Sequence, residues 1–165
     1  MKNVYIKRVN KTRHLSNKQF SALMKSVLEK GKDFRFQAAG SSMSPFIKSG
    51  DVITLSSVEH KTIHIGDILA VNHPINNNLV VHRVAACRAG NYLLKADNSQ
   101  IPDGWIKPNQ IIGVVGKIER GDKQINIGLG EGKLLIAILS RMNCLEASIR
   151  VLWKCFPPFI KRLFK

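Results

Sequence analysis

The sequence predicts a mainly-β fold, a coiled sheet or partly open barrel, with an amphipathic helix before it and an amphipathic helical tail after it. Three observations carry that expectation. Short runs rich in Val, Ile and Leu recur at 34–38, 51–57, 67–72, 79–88, 91–96, 111–119 and 123–127. Turn formers separate them, among them Asn76-Asn77-Asn78, Ala89-Gly90-Asn91 and Gly121-Asp122. No helical periodicity is interleaved between the runs, so an antiparallel all-β body is expected rather than an alternating α/β one.

Taken in order, residues 1–15 are basic and read as irregular. Ser16-Asn17-Lys18-Gln19 fits a capping box, in which the serine hydroxyl and the Gln19 side chain satisfy free amide groups at a helix start. Phe20, Leu23, Met24, Val27 and Leu28 follow at helical spacing and Gly31 ends the run; the stripe is expected to pack on the domain. The strands then fill 34–132, and the hairpin around Gly90 has the clearest turn signal. From Lys133 the spacing is helical again, through Leu135, Ile138, Leu139, Met142, Leu145, Ile149, Leu152, Trp153 and Phe156, until Pro157-Pro158 breaks it. The chain therefore divides into a basic arm with helix (1–33), a β-rich body (34–132) and a basic tail (133–165).

At 165 residues and 44% hydrophobic content the chain is long enough for one domain with a real core, and disorder is excluded. The net charge of +15 is unevenly spread. Residues 1–33 hold nine basic and two acidic side chains, 133–165 hold seven and one, and the body holds ten and eight. Basic ends on a nearly neutral body suggest an anionic membrane surface or nucleic acid, and the tail is expected to lie on a membrane, on a partner protein or on its own β-body. Nucleic acid is disfavoured, since one helix ahead of a β-body does not make a helix-turn-helix and no aromatic residues alternate with basic ones on the strands. Cys87, Cys144 and Cys155 lack Cys-x-x-Cys spacing and read as free thiols in a reducing compartment. His60 and His64 stand four apart without a catalytic Glu or a third ligand, so no metal and no cofactor is expected. No apolar stretch is long enough to span a bilayer, and the first residues lack a signal-peptide core. A cytoplasmic protein, or one held at the inner membrane face, is expected.

The chemistry centres on Gly40-Ser41-Ser42-Met43-Ser44-Pro45 and Gly50-Asp51. A serine hydroxyl is a weak nucleophile unless a base lies within hydrogen-bond reach and a third group orients that base. His82, in the β-branched run Val80-Val81-His82-Arg83-Val84, can serve as base, and Asp97 and Asp103 are both available to orient it. Strand alternation puts Val80, His82 and Val84 on one face and Val81 and Arg83 on the other.

These boxes resemble the signal peptidase I superfamily, which also contains the LexA-like self-cleaving repressors. Gly40–Asp51 resembles its serine box, and Gly66-Asp67-Ile68-Leu69-Ala70-Val71 the following Gly-Asp strand box. Val81-His82-Arg83-Val84 and Lys95-Ala96-Asp97-Asn98 with Asp103 resemble the endoplasmic-reticulum and archaeal type, in which histidine replaces the general-base lysine. Ala96 stands where that type has glycine, and the N-terminal membrane span is lacking. The resemblance implies a signal peptidase-like fold and a serine peptidase with Ser42 as nucleophile, His82 as base and Asp103 as first choice to orient it. Asp97 is second choice, or a partner of Arg83. It also implies a peptide substrate with small residues one and three before the cut, lying as an added strand between 36–40 and 79–82, with Gly40, Met43 and Val81 in contact with it. The oxyanion would be met by the Ser42 backbone N–H, since Gly40 removes the hydroxyl that some bacterial relatives place there. The alternatives are a LexA-like self-cleaving regulator and a catalytically inactive peptide-binding module. Against self-cleavage stand Ala39-Gly40, too near Ser42 to fold back, Ala89-Gly90 in a hairpin, and histidine rather than lysine as base.

Overall fold

The computed structural model describes residues 4–8, 11–59, 61–73, 75–76, 78–126, 128–130 and 132–143, with backbone alone for 4–15. In chain order the elements are β1 (Val4–Arg8), β2 (Lys11–Leu15), α1 (Asn17–Glu29), β3 (Phe34–Gln37), β4 (Val52–Ser56), β5 (Ile68–Asn72), β6 (Leu79–Arg88), β7 (Asn91–Lys95), β8 (Gly104–Ile106), β9 (Ile111–Arg120), β10 (Lys123–Gln124) and α2 (Lys133–Arg141). An eight-stranded antiparallel sheet runs β3-β4-β9-β5-β6-β7-β8, with β10 paired to β9. It is not closed into a barrel, and the mainly-β expectation holds.

Alternation on β5 shows how the sheet buries both faces. Ile68 and Ala70 enter one cluster with Phe20, Met24, Leu28, Met43, Ile53 and Ile118. Leu69 and Val71 enter a second, with Val84, Leu94, Ile106 and Ile111. Helix α1 covers the first cluster. Its Ser16 cap forms the expected capping box with Gln19, and Phe20, Met24 and Leu28 are buried while Leu23 remains exposed. The Phe20 ring meets Phe34 and Phe36 edge-on, at 5.6 and 5.7 Å between centroids. Each such pair adds about 0.5–1.5 kcal/mol beyond its buried area. Ala89 and Gly90 both take positive φ, 47° and 74°, and Arg88 pairs with Asn91. That is the two-residue turn whose twist matches a hairpin.

Three stretches differ from expectation. Within 1–15, read as irregular, residues 4–8 and 11–15 pair as antiparallel strands in which Arg8 opposes Lys11. Strand β8 had not been expected; only three residues long, it pairs with β7 through Tyr92–Ile106. The expected strand at 123–127 is shorter, at 123–124.

The tail begins as a docked helix. Ala137 and Ser140 of α2 are buried, Lys133 Nζ donates to Asp67 Oδ1 at 2.6 Å, and Lys95 Nζ donates to Ser140 Oγ at 3.0 Å. Gly66 permits this contact, because a Cβ there would lie 2.7 Å from the Lys133 backbone. Leu134, Leu135, Ile138 and Met142 are exposed. The helical spacing expected beyond Asn143 falls outside the described residues. No described helix is long and apolar enough to cross a membrane.

Candidate active site

Ser42 lies in the connection that leaves β3 after Gln37 and enters β4 at Val52. Inside the turn, Ser44 N–H donates to Ser41 O at 3.0 Å and Ile47 N–H to Met43 O at 3.0 Å. Gly40 has φ +96°, and a Cβ built there meets nothing within 4 Å. Glycine is needed here for its backbone conformation, not for the approach of another segment of this chain. Met43 and Ile47 anchor the turn from beneath, in the α1-covered cluster.

The far side of the turn is held by charge. Asp51, 2% exposed, accepts two hydrogen bonds from the Arg120 guanidinium, both 2.8 Å, and one from the Lys48 N–H at 2.8 Å. Burial pushes the Asp51 carboxyl up, but Arg120 and the Lys48 N–H outweigh it and hold the group below its usual value.

Strand β6 brings His82 to the serine. The Nδ1–H donates to Asp103 Oδ2 at 2.6 Å, and the Ser42 hydroxyl donates to Nε2 at 3.1 Å. The tautomer follows from the partner: an ionised carboxylate only accepts, so Nδ1 carries the proton and Nε2 is left as acceptor. Asp103 is set on the loop before β8, where its N–H donates to Leu94 O at 2.9 Å.

Asp97 is placed elsewhere. Its two oxygens receive Arg83 Nε and Nη2 at 2.9 and 2.7 Å. Arg83, 1% exposed, also donates through Nη1 to the carbonyls of Gly66 and Gly128 at 2.9 and 2.7 Å, and lies 5.4 Å from the centre of the Phe46 ring. Of the two candidate aspartates, Asp103 meets His82 and Asp97 does not.

Asn98, quoted in the sequence motif without a role, joins the loop to the nucleophile turn. Its N–H donates to Ser42 O at 2.8 Å, and its side-chain amide to Ser41 O at 3.3 Å. Lys95, the first residue of the same motif, is buried under α2. Burial pushes its ammonium below the ordinary lysine value, against the pull of Asp97 and Asp103.

A cleft of about 240 Å³ opens beside Ser42 and His82. Its walls are the chain from Phe36 to Gly40 and β6 from Leu79 to His82, and Phe20, Met43 and Ile53 line it as well. Both walls are strand edges. Among the described residues, β3 pairs with β4 alone in the ladder, and β6 pairs with β7 only from Arg83 onward. Gly40, Met43 and Val81 all line this space.

A serine, an imidazole and a carboxylate in line at a cleft of a mainly-β body is the arrangement that nucleophilic serine chemistry requires. The chain belongs to the Peptidase S24-like family, whose model matches residues 4–118. No curated protein matches it.

Proposed function

We propose that the protein is a serine endopeptidase of signal peptidase-like type that cuts leader- or signal-like peptides after small side chains, by a Ser-His-Asp mechanism. The observation that carries this reading is the unbroken hydrogen-bonded line Ser42–His82–Asp103 at the mouth of the cleft. An extended peptide adds its backbone to the open edges at 36–40 and 79–82, and its side chains enter the apolar cleft near Gly40, Met43 and Val81. Ser42 Oγ attacks the scissile carbonyl as its proton passes to His82 Nε2. Asp103 keeps the ring oriented and stabilises the imidazolium. The oxyanion meets the Ser42 backbone N–H. His82 then delivers the proton to the leaving amine, and water, deprotonated by the same imidazole, releases the acyl group. Asp97 acts on the scaffold through Arg83.

A serine-directed phosphonate should label Ser42, and a peptide library should show cleavage that Ser42→Ala abolishes. Failure of both, with the fold intact, would favour the inactive peptide-binding module. The family also supports a LexA-like self-cleaving regulator. The Ala39–Gly40 bond lies in the cleft wall beside Ser42, and Ala89–Gly90 lies at the tip of the β6–β7 hairpin, about 20 Å along the strand from His82. A defined self-cleavage product in mass spectrometry would favour the regulator.

We further propose that α2 and the tail hold the protein on an anionic membrane surface, at the cytoplasmic face. The support is the exposed set Leu134, Leu135, Ile138 and Met142 together with the seven basic and one acidic side chains of 133–165. Deletion of 144–165 with Leu135→Ser should abolish sedimentation with phosphatidylglycerol vesicles; unchanged sedimentation would refute the membrane role.

A further inference from the structure

We propose that His73 is a positioning residue that steadies Asp103 from the side His82 does not use. The inference rests on the Ser-His-Asp reading for its consequence, and on geometry for its existence. His73 follows β5, with its own N–H donating to Asn78 O at 2.8 Å. The Ile75 N–H donates to His73 Nδ1 at 3.3 Å. An acceptor Nδ1 leaves the proton of a neutral ring on Nε2. That nitrogen faces Asp103 Oδ1 at 3.9 Å, while Oδ2 holds His82 at 2.6 Å. Both side chains are largely shielded, 15% and 14% exposed, so the attraction is weakly screened.

At 3.9 Å the contact is electrostatic rather than a formed hydrogen bond. A shift of about 1 Å closes it, and catalytic hydrogen bonds commonly tighten when substrate binds. Among the described residues, the titratable groups facing Asp103 are His82 from β6, His73 just after β5 and Lys95 from β7. His82 uses one carboxylate oxygen and His73 faces the other. A carboxylate held at both oxygens cannot rotate away from His82 as the imidazolium forms.

The test uses the full chain with ¹⁵N-labelled histidine. Long-range ¹H–¹⁵N correlation should show His73 as the Nε2–H tautomer at pH 8, and Asp103→Asn should move its Nε2–H resonance. An Nδ1–H tautomer, or no response to Asp103→Asn, overturns the proposal whether or not the protein cleaves peptides. With a peptide substrate, His73→Phe should lower kcat about tenfold with KM unchanged, the scale of one lost hydrogen bond. His73→Gln, which keeps a donor near the Nε2 position, should recover most of that loss. Equal losses in the two variants, or no loss in either, overturn it. Absence of cleavage in the parent protein itself would count against the peptidase reading and leave the ¹⁵N outcome to decide on His73.

Discussion

His82 and Arg83 are neighbours on one strand, and alternation sends them to opposite sides of it. Each takes an aspartate from the same β7–β8 connection, yet the two pairs differ in kind. Arg83 and Asp97 are 1% and 0% exposed, and the guanidinium spends its donors on a carboxylate and two carbonyls. His82 and Asp103 border a cleft, and the imidazole ends on a hydroxyl that faces open space. A closed set of partners makes a fastener; a chain of partners that stops at a cavity makes a reagent. Residue type alone does not separate the two.

Substitutions can break or sharpen that contrast. On the reactive side, His82→Ala should cut kcat about 10⁴-fold, the scale of triad lesions, about 5.5 kcal/mol of transition-state stabilisation. Its melting temperature should stay close to that of the parent. A loss below tenfold in a peptide-cleavage assay would remove His82 from the chemistry. On the fastening side, Asp97→Ala strands a buried guanidinium and should cost about 3–5 kcal/mol in urea unfolding. A stable Asp97→Ala protein that had lost only activity would reverse the assignment of the two aspartates. Asn98→Ala tests the seam between the two sides. It removes one amide bond to the Ser41 carbonyl and should cost about 1 kcal/mol in stability, with a small fall in kcat.

The smallest effect concerns pH. Asp51 sits below its ordinary value of 3.8 in the folded state, so near and below that pH the unfolded chain binds more protons. Its stabilisation is complete above the unfolded value and is withdrawn as pH falls through the lower folded one. Urea midpoints measured at pH 5 and pH 2.5 should therefore differ more for the parent than for Asp51→Asn. Equal differences would show that the Arg120 pair contributes nothing.

Much of the β-body was legible because it rests on local signals. The strands carry β-branched runs, the Ser16 cap carries its own motif, and Gly90 marks the hairpin turn. The nucleophile turn was legible as Gly40-Ser41-Ser42 closed by Gly50-Asp51. What escaped was decided by distant partners. Nothing in Val4–Arg8 and Lys11–Leu15 announces a strand pair, since the runs are short, basic and joined at residues without a strong turn signature. Gly104-Trp105-Ile106 is too short for a period to show. The residues alone left Asp97 and Asp103 both open; the family resemblance put Asp103 first, and the structure brings Asp103 to His82 and Asp97 to Arg83. Asn98 and His73 matter through contacts 57 and 30 positions away along the chain, which no local pattern records.

The cleft's two walls carry a consequence for what the protein will spare. Backbone groups along 79–82 and beside Gly40 offer pairing only to a chain whose own amides are unspent, which a residue inside a finished helix or sheet is not. On the proposed peptidase reading, folded neighbours would thereby be protected however well their side chains suit the cavity, and a tail, a leader or a newly made segment would be exposed to it. Selection would then act first on the victim's lack of structure and only afterwards on its letters.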